Sequence, residues 1–481
     1  MPPAPAAPHA APGYVTDVTY PDYFHRELMP RWIVSTLQAL GRRAPSLDQP
    51  FTWLELGCGS GISALVAAAT HPHSQCIGVD INPQAIAQAQ ALAQAAGIGN
   101  VQFLCADFAQ LAQHAQTPWP MCDFIVSHGV YSWVSAPHRQ HLRDLVQRSL
   151  QPGGVCYLAY MSQPGSASLS ALQKLAHLHA QRMPGDSTAQ AQSTLALLQR
   201  TANAGTGYFA EHARLHTDLE QLAQMDLRYV AHEFLNAHWD CLHVADVMAD
   251  MQAAGCEWAG SATTLENIDA ASVPQSALPL LHNLLAQGAT APELETFKDI
   301  ARNQNQRRDL YQRSHPQGNT LTQEAHRQQL LQQHITLMPT APAPGVQPGA
   351  ALRLDTRIGP VDMPMAHIQP LLQTLQQGPC SYADLLQHPL YARQPALVSQ
   401  LLQTLVWAGW LHFVDARAAS AAATPSDTVQ RLNQALAQRP CGPAGQIYWA
   451  APRAGTALVI PPGEDAPWLQ QRLRWLSGSA A

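Results

Sequence analysis

The stretch from Trp53 to Tyr160 alternates short apolar runs with longer helix-like segments, and this alternation limits the possible folds more than any other feature. The apolar runs are WLEL, QCIGVDI, VQFLCAD, CDFIVS and VCYLAYM. Between them lie ISALVAAAT, PQAIAQAQALAQAAG and HRQHLRDLVQRSL, which are long enough for helices. Strands that alternate with helices through short connections form a parallel sheet covered by helices. The pattern therefore predicts an α/β domain built on a mostly parallel sheet.

The remaining sequence divides by composition into further segments. Gln- and Ala-rich stretches indicate a mainly helical middle domain, and Pro/Gly-rich and Ala-rich runs indicate linkers. Two helices and the strand LHFVD (411–415) favour a small winged-helix-like unit. The predicted segments are 1–50 (leader and cofactor-covering helices), 51–165 (α/β domain), 166–338 (helical domain), 339–350 (linker), 351–418 (winged-helix-like domain) and 419–481 (linker and tail).

Composition excludes several classes of function. The 481 residues carry a net charge of −6, and residues 362–414 contain a single arginine and no lysine, which argues against binding to nucleic acid. The first dozen residues lack the features of a signal peptide, and no apolar run approaches the ~18 residues of a membrane span. Nine cysteines form no CxxC pair, so no metal site is predicted. We expect a soluble, cytoplasmic protein without membrane insertion, whose oligomeric state the sequence does not determine.

A glycine-rich loop follows the first predicted strand. LELGCGSGIS places Gly57, Gly59 and Gly61 between a strand and a helix, where glycine permits close approach of a ligand to the backbone. Asp80 ends the next strand 19 residues after Gly61 (80 − 61), the position from which a carboxylate binds ribose hydroxyls. Asp107 ends the third strand, near the expected adenine edge. Ile81 and Phe108, which follow the two aspartates, belong to the same predicted cofactor site.

This arrangement of residues has two interpretations: a site for a dinucleotide and a site for S-adenosylmethionine. A dinucleotide loop usually reads GxGxxG, whereas this loop reads ExGxGxG with Glu55 ahead of the glycines. A carboxylate is poorly placed beside a pyrophosphate but suits the cationic methionine end of S-adenosylmethionine. The ELGCGSG loop, Asp80 in VDIN and Asp107 in AD resemble the class I S-adenosylmethionine-dependent methyltransferases, which implies a Rossmann-like domain with a seven-stranded, mostly parallel sheet.

The fourth strand ends in SHGVYSWV, which places His128, Tyr131 and Trp133 at the predicted site. Ligands of open α/β sheets bind outside the carboxyl ends of the strands, so we expect these side chains to face the transferable methyl group. Aromatic faces attract a sulfonium by ~0.5–2 kcal/mol per good contact. The alternative is that Tyr131 and Trp133 are core residues of the following helix. We predict His128 and Tyr131 as catalytic residues, His128 also contacting the cofactor, and Trp133 as part of an acceptor pocket.

Four stretches narrow the resemblance. They are similar to stretches of bacterial methyltransferases with a methyltransferase regulatory domain, a group that includes rickettsial-type lysine methyltransferases of outer-membrane proteins. The four stretches are HGVYSWV, YMSQPG, YVAHEFLNAHWDCLHVADV and FKDIARNQNQRRDLYQR. The resemblance covers residues 14 to 415. YMSQPGS departs from the usual YNxxPGW, and TYPDYF departs from an N-terminal YPSYPF. Both departures border the expected acceptor pocket and put the acceptor in doubt.

HEFLNAHWD supplies the remaining candidate site residues. Glu233 is predicted to be catalytic, and Tyr20, Asn236 and His238 are predicted to line the acceptor pocket with Trp133; a polar network at a domain interface is the alternative. An acceptor lysine must lose a proton, which at pH 7 costs ~4.6 kcal/mol from a pKa near 10.4. The leading hypothesis is methylation of a protein side chain, most plausibly lysine. The alternatives are a small-molecule or natural-product O/N-methyltransferase, and C-terminal domains acting chiefly as a protein-interaction module.

Overall fold

A seven-stranded sheet forms the centre of the computed structural model, which describes residues 13–114, 116–343, 349–416, 426–439, 445–460 and 467–478. The predicted leader (1–12), residues 344–348 of the first predicted linker and residues 417–425 of the second lie outside the described residues. The sheet has the order β3-β2-β1-β4-β5-β7-β6. Its strands are β1 (Thr52–Leu56), β2 (Gln75–Asp80), β3 (Val101–Cys105), β4 (Cys122–Ser127), β5 (Leu150–Met161), β6 (Cys256–Ser261) and β7 (Gln306–Arg313).

The first five strands run parallel, as the alternating pattern predicts. In register, Leu54 of β1 lies beside Ile77 of β2 on one side and Ile125 of β4 on the other, and all three side chains are fully buried. Such burial on both faces explains why these strands read as continuous apolar runs. The carboxyl ends of β1, β2, β3 and β4 therefore meet at one edge of the sheet.

Helices α1 (Pro30–Ala39), α2 (Ile62–Thr70), α3 (Pro83–Ala96), α4 (Phe108–Gln113) and α5 (Ala136–Ser149) accompany these strands. Every residue of α2 is buried, because its small side chains let it pack closely between the sheet and elements from the C-terminal part of the chain. Asn82 caps α3 by accepting from the Gln84 and Ala85 N–H groups, and Pro83 fits the first turn of that helix. Asn82 and Pro83 thus fix where α3 begins, directly after β2.

The segment predicted to be mainly helical also completes the sheet. It contains α6 (Leu169–Ala180), α7 (Ser187–Asn203), α8 (Gly207–Glu211), α9 (Arg214–Leu222), α10 (Leu227–Phe234), α11 (Val244–Ala253), α12 (Asp269–Ser272), α13 (Leu278–Ala286), α14 (Ala291–Arg302) and α15 (Gln323–Leu331). Between these helices, β6 and β7 add to the sheet in antiparallel orientation.

Buried charges account for the weak strand signal of β7. Arg307 and Asp309 are both fully buried, and Arg307 donates to Asp309, Asp299 and Glu295. A strand that hides an ion-pair network carries charged residues where an apolar pattern would normally stand, so its sequence does not read as a core strand.

The elements expected of the winged-helix-like unit are present. β8 (His334–Leu337), β11 (Cys380–Ser381) and β12 (Leu411–Val414) form a sheet of order β11-β8-β12, and β9 (Ala351–Thr356) pairs with β10 (Gly359–Pro364). The accompanying helices are α16 (Met365–Gln376), α17 (Tyr382–Leu385), α18 (Pro389–Arg393) and α19 (Pro395–Trp407). The central strand β8 precedes the predicted linker in the chain.

The C-terminal tail contains regular structure that the weak sequence pattern did not indicate. It forms α20 (Asp427–Ala437), the antiparallel pair β13 (Ile447–Ala451) and β14 (Thr456–Ile460), and α21 (Pro467–Leu476). α20 packs against α3, and β13 and β14 pack against α2. Among the described residues, no helix has both the length and the apolar character needed to cross a membrane.

Candidate active site

A cavity lies at the edge where the carboxyl ends of the parallel strands meet. Three parts of the chain line it: the ends of β1 to β4, the N-terminal segment 13–25, and the stretch from α10 to Asn236. The strand ends contribute Glu55, Asp80, Ile81, Asp107, Phe108, His128 and Trp133; the N-terminal segment contributes Tyr14, Tyr20, Tyr23 and His25; the third part contributes His232, Glu233 and Asn236. Most of the predicted site residues are thus brought together.

The glycine loop has the conformation its sequence predicts, with φ of +85° at Gly57, +52° at Gly59 and +75° at Gly61. A side chain at Gly57 would meet Val130 Cγ2 at 2.2 Å, whereas one at Gly59 would meet no atom within 4 Å and would stand in the cavity mouth. Gly61 does not line the cavity, which corrects its prediction as a cofactor contact. Its missing side chain instead lets α2 approach Phe103 and Ala89, since a Cβ would lie 2.5 Å from the ring of Phe103.

Two carboxyl groups, the half-buried Asp80 and the buried Glu55, flank the loop. Asp80 accepts from the Gly59 and Asn82 N–H groups, each at 2.8 Å, so it shapes the loop as well as lining the cavity. Glu55 is 5% exposed, and its Oε2 has no hydrogen-bond partner among the described residues. Burial, followed by the nearby Asp80, raises the pKa of Glu55 well above its usual range. A buried carboxyl oxygen without a partner is stabilised when a cation pairs with it, and the amino group of S-adenosylmethionine fits that role.

Asp107 lies at the third strand end, as predicted. It caps α4 by accepting from the Ala109 N–H at 2.8 Å, and its Oδ1 lies 3.2 Å from Nε2 of His138. Phe108 and Ile81 add apolar surface beside it. His138, which lines the same region, was not predicted from the sequence; its only signal is its place in the first turn of α5, after the capping Ser135.

His128 lines the cavity, and two aromatic rings lie parallel to its ring. The ring of His25 stacks on it at 3.6 Å between centroids and 14° between planes. Nδ1 of His128 lies 2.8 Å from the Tyr157 hydroxyl oxygen. Burial lowers the pKa of His25 to about 4 and that of His128 well below its usual value, to which the neighbouring His25 and Arg308 contribute. Both imidazoles are therefore neutral at pH 7.

Tyr131 lies in the core and not at the cavity, so the structure does not bring it to the place that its predicted catalytic role requires. Its side chain is fully buried, and its hydroxyl donates to Asp250 Oδ2 at 2.9 Å and accepts from Arg143 at 3.1 Å. The turn after β4 directs Tyr131 towards α5 and α11, while Trp133, two residues later, does line the cavity. The core alternative holds for Tyr131, whereas Trp133 is buried and also lines the cavity.

One end of the cavity is formed by tyrosines and one carboxyl group. The ring of Tyr20 lies 5.7 Å from that of Tyr23 and 5.9 Å from that of Tyr229. Glu233 lines this end, and burial raises its pKa to about 8. An enclosed carboxyl group with this pKa exchanges a proton near neutral pH, which is the property required of a general base.

Asn236 and His238 have different environments. Asn236 lines the cavity, where its Oδ1 accepts from the Val15 N–H and its Nδ2 donates to the His232 carbonyl. It ties the N-terminal segment to the middle of the chain. His238 is not among the residues that line the cavity and instead lies 5.8 Å from the ring of Tyr14, so the structure does not bring it to the pocket predicted for it.

The N-terminal segment is the part of the site that sequence reasoning located least well. Of its cavity residues only Tyr20 was predicted, although Tyr14, Tyr23 and His25 also line the cavity. The available signal was the density of aromatic residues in TYPDYFH. Asp22 anchors this segment by accepting from the Ser60 hydroxyl in the glycine loop and from Arg439 at 2.7 Å.

The charged side chains of the cavity all carry carboxyl groups. They are Glu55, Asp80, Asp107 and Glu233, and no lysine or arginine is among the described lining residues. Three of the lining histidines (His25, His128 and His232) have lowered pKa values because they are buried. The cavity is therefore suited to cationic ligands. No cluster of three or more potential metal ligands occurs in the described part of the chain.

Comparison with protein families gives two matches. A model described as a methyltransferase domain matches residues 47–230, and a model described as a predicted methyltransferase regulatory domain matches residues 226–313. The first covers the glycine loop and the strand ends, and it stops within α10. The second covers α11, α14 and the antiparallel strands β6 and β7.

Individual relatives agree with these matches. Uncharacterized protein sll1526 of Synechocystis sp. is 27% identical over 375 residues, which are 78% of this chain and 71% of that protein. A tRNA (guanine-N(7)-)-methyltransferase of Alkalilimnicola ehrlichii is 31% identical over 133 residues, or 25% of this chain and 51% of its own. The structure of PKMT2 from Rickettsia typhi in complex with AdoHcy matches with a TM-score of 0.69 at 19% identity, covering 96% of this chain and 89% of that one, which shows a shared fold.

Proposed function

We propose that this S-adenosylmethionine-dependent methyltransferase, whose sequence also matches a methyltransferase regulatory domain, methylates a lysine side chain of a protein. The resemblance of its sequence to rickettsial-type lysine methyltransferases supports this acceptor. So does the fold that it shares with PKMT2 from Rickettsia typhi.

The observation that carries the proposal is the charge of the cavity. Its charged side chains are carboxyl groups only, and one of them, Glu233, lies at the tyrosine-lined end. A phosphate-rich acceptor such as tRNA, or an anionic small molecule, would meet these groups without any compensating lysine or arginine. A lysine ammonium instead gains a buried ion pair.

Glu233 is proposed as the base that removes the proton from the lysine. Burial disfavours charge in this part of the cavity, and it raises the pKa of Glu233 to about 8. The same burial would lower the pKa of a lysine brought beside it, so the two pKa values approach each other. Proton transfer between them leaves a neutral amine and a neutral carboxylic acid.

The proposed cofactor site holds the second reactant. Glu55 would bind the amino group and Asp80 the ribose, and bound S-adenosylmethionine supplies an electrophilic methyl group on a sulfonium. Tyr20, Tyr23 and Trp133 line the space between the strand ends and Glu233. Their rings limit the access of water and hold the amine in line, and such alignment accounts for much of the rate of a displacement reaction.

Methyl transfer to a cell extract tests the proposal. The purified protein is incubated with S-adenosylmethionine that carries a tritiated methyl group and with extract from cells that lack the gene. We expect label in the protein fraction, and methylated lysine after acid hydrolysis of that fraction. Label in the soluble pool would indicate the small-molecule alternative, and label in RNA would indicate a nucleic-acid acceptor; either outcome contradicts the proposal.

A pair of variants tests the role of Glu233. Glu233→Gln preserves the shape of the side chain but cannot accept the proton, so incorporation is expected to fall ~10²-fold or more. Binding of S-adenosylhomocysteine is expected to stay within about twofold of wild type, because Glu233 is not among the strand-end residues that are proposed to hold the cofactor. Glu211→Gln, on the exposed end of α8, is the matched control. Equal loss in both variants, or full activity of Glu233→Gln, would contradict the assignment.

A further inference from the structure

The hydroxyl of Tyr157 has a specific partner at the methyl-transfer site. Tyr157 lies on β5 and is fully buried among core residues. Its hydroxyl oxygen is 2.8 Å from Nδ1 of His128, and the two rings are inclined by only 12°. No other hydrogen bond of this hydroxyl is found among the described residues.

The direction of this hydrogen bond follows from the groups around it. His128 is neutral, because burial, His25 and Arg308 all disfavour its positive form, so only one of its ring nitrogens carries a hydrogen. If that hydrogen were on Nδ1, the buried O–H of Tyr157 would have no acceptor. The free-energy cost of one unpaired buried donor corresponds to a population ratio of about 5- to 150-fold against that arrangement.

We propose that Tyr157 is a positioning residue that donates to Nδ1 of His128 and so holds His128 in the tautomer with its hydrogen on Nε2. His128 then presents an N–H donor to the methyl-transfer site and is not a proton acceptor there. The parallel ring of His25, at 3.6 Å, holds the imidazole plane in place from one face.

This assignment gives different tasks to His128 and Glu233, which the sequence predicts together as catalytic residues. His128 donates a hydrogen bond from Nε2 to an oxygen atom of a bound molecule, such as a carbonyl or carboxylate oxygen. Glu233 alone then removes the proton. The inference requires that the cavity be the methyl-transfer site, but it holds whether the acceptor is lysine or another group. Its failure is therefore distinguishable from a failure of the lysine proposal.

Nitrogen NMR of the full-length protein tests the tautomer directly. Protein labelled with ¹⁵N-histidine is studied by long-range ¹H–¹⁵N correlation at pH 7, and the signal that disappears in His128→Gln identifies His128. In a neutral imidazole the unprotonated nitrogen resonates well downfield of the protonated one. We expect Nδ1 of His128 to be the unprotonated nitrogen in the wild type.

Tyr157→Phe removes the donor and keeps the ring. In this variant we expect both tautomers of His128 to be populated, so that its two nitrogen signals move towards each other. Tyr160→Phe is the matched control: Tyr160 is equally buried on the same strand, but its hydroxyl donates to Asp309, so His128 should be unaffected. A wild-type spectrum with the hydrogen on Nδ1 overturns the proposal even if Tyr157→Phe does not fold. An unchanged His128 spectrum in folded Tyr157→Phe overturns it as well.

Discussion

Replacement of Glu55 by glutamine should change stability and cofactor affinity in opposite directions. In the ligand-free protein Glu55 is enclosed, its Oε2 lacks a partner among the described residues, and burial next to Asp80 raises its pKa. Ionised glutamate at this position therefore opposes folding. Glutamine has nearly the same shape and no charge, so Glu55→Gln is expected to stabilise the ligand-free fold at neutral pH.

The size of the stabilisation is limited by linkage between protonation and folding. In the unfolded chain Glu55 ionises with a pKa of about 4.3, so keeping it neutral at pH 7 costs at most about 4 kcal/mol. The cost of an unsatisfied buried group suggests about 1–3 kcal/mol. Because the pKa in the folded state is the higher one, the difference should be near zero at pH 4.5 and should grow as pH rises, up to the folded-state pKa.

Cofactor binding should respond in the other direction. The proposed bond between Glu55 and the amino group is a charged one, worth ~1.5–3 kcal/mol, which is about 10- to 150-fold in affinity. S-adenosylmethionine and S-adenosylhomocysteine both carry this amino group, so both should bind Glu55→Gln more weakly by a similar factor. Wild-type affinity should rise with pH as Glu55 ionises, and the affinity of the variant should not.

Urea denaturation at pH 4.5, 7 and 8.5, together with titration calorimetry of both ligands, measures these effects. Glu211→Gln on the surface of α8 should behave like wild type in every measurement. Unchanged affinity in Glu55→Gln would mean that the amino group of the cofactor lies elsewhere. A loss of stability that is independent of pH would mean that Glu55 is satisfied in the ligand-free fold.

Substitutions at three further residues test the other assignments. Asp80→Ala should weaken the binding of both ligands by ~1.5–3 kcal/mol, which calorimetry measures, and unchanged affinity would refute the ribose contact. It should also lower the free energy of unfolding by ~1–2 kcal/mol in urea denaturation, since the Gly59 and Asn82 N–H groups lose their acceptor. Tyr131→Phe should lower the free energy of unfolding by ~1–2 kcal/mol and Tyr131→Ala by ~3–5 kcal/mol, and both variants should bind the two ligands like wild type. A selective loss of S-adenosylmethionine binding would instead indicate that Tyr131 contacts the cofactor. Arg439→Gln should weaken S-adenosylhomocysteine binding up to about fivefold, because its ion pair with Asp22 is partly exposed and holds Asp22 against Ser60. Arg431→Gln, which loses only a bond to the Ala96 carbonyl, should bind like wild type, and equal effects in the two variants would argue against a link through Asp22.

The sequence by itself determined the features that depend on neighbours along the chain. Gly57 and Gly59 adopt the positive φ values that only glycine accepts easily, and Asp80 lies at the end of its strand because the apolar run stops there. Parallel strands bring such ends to one edge whatever the rest of the chain does. The α/β fold, the cofactor class and the carboxyl groups around the glycine loop could therefore be predicted without coordinates.

Only the tertiary structure decided which side chains face the cavity after each turn. Tyr131 and Trp133 are two residues apart in one aromatic stretch, yet packing against α5 and α11 buries the first while the second lines the cavity. His25 and Tyr157 are separated from His128 by about a hundred and about thirty residues, and no local pattern links them. The sequence does not predict the strand β7, because β7 carries charged residues where a core strand is normally apolar. Its buried Arg307 and Asp309 neutralise each other only in the folded protein, where distant segments enclose them.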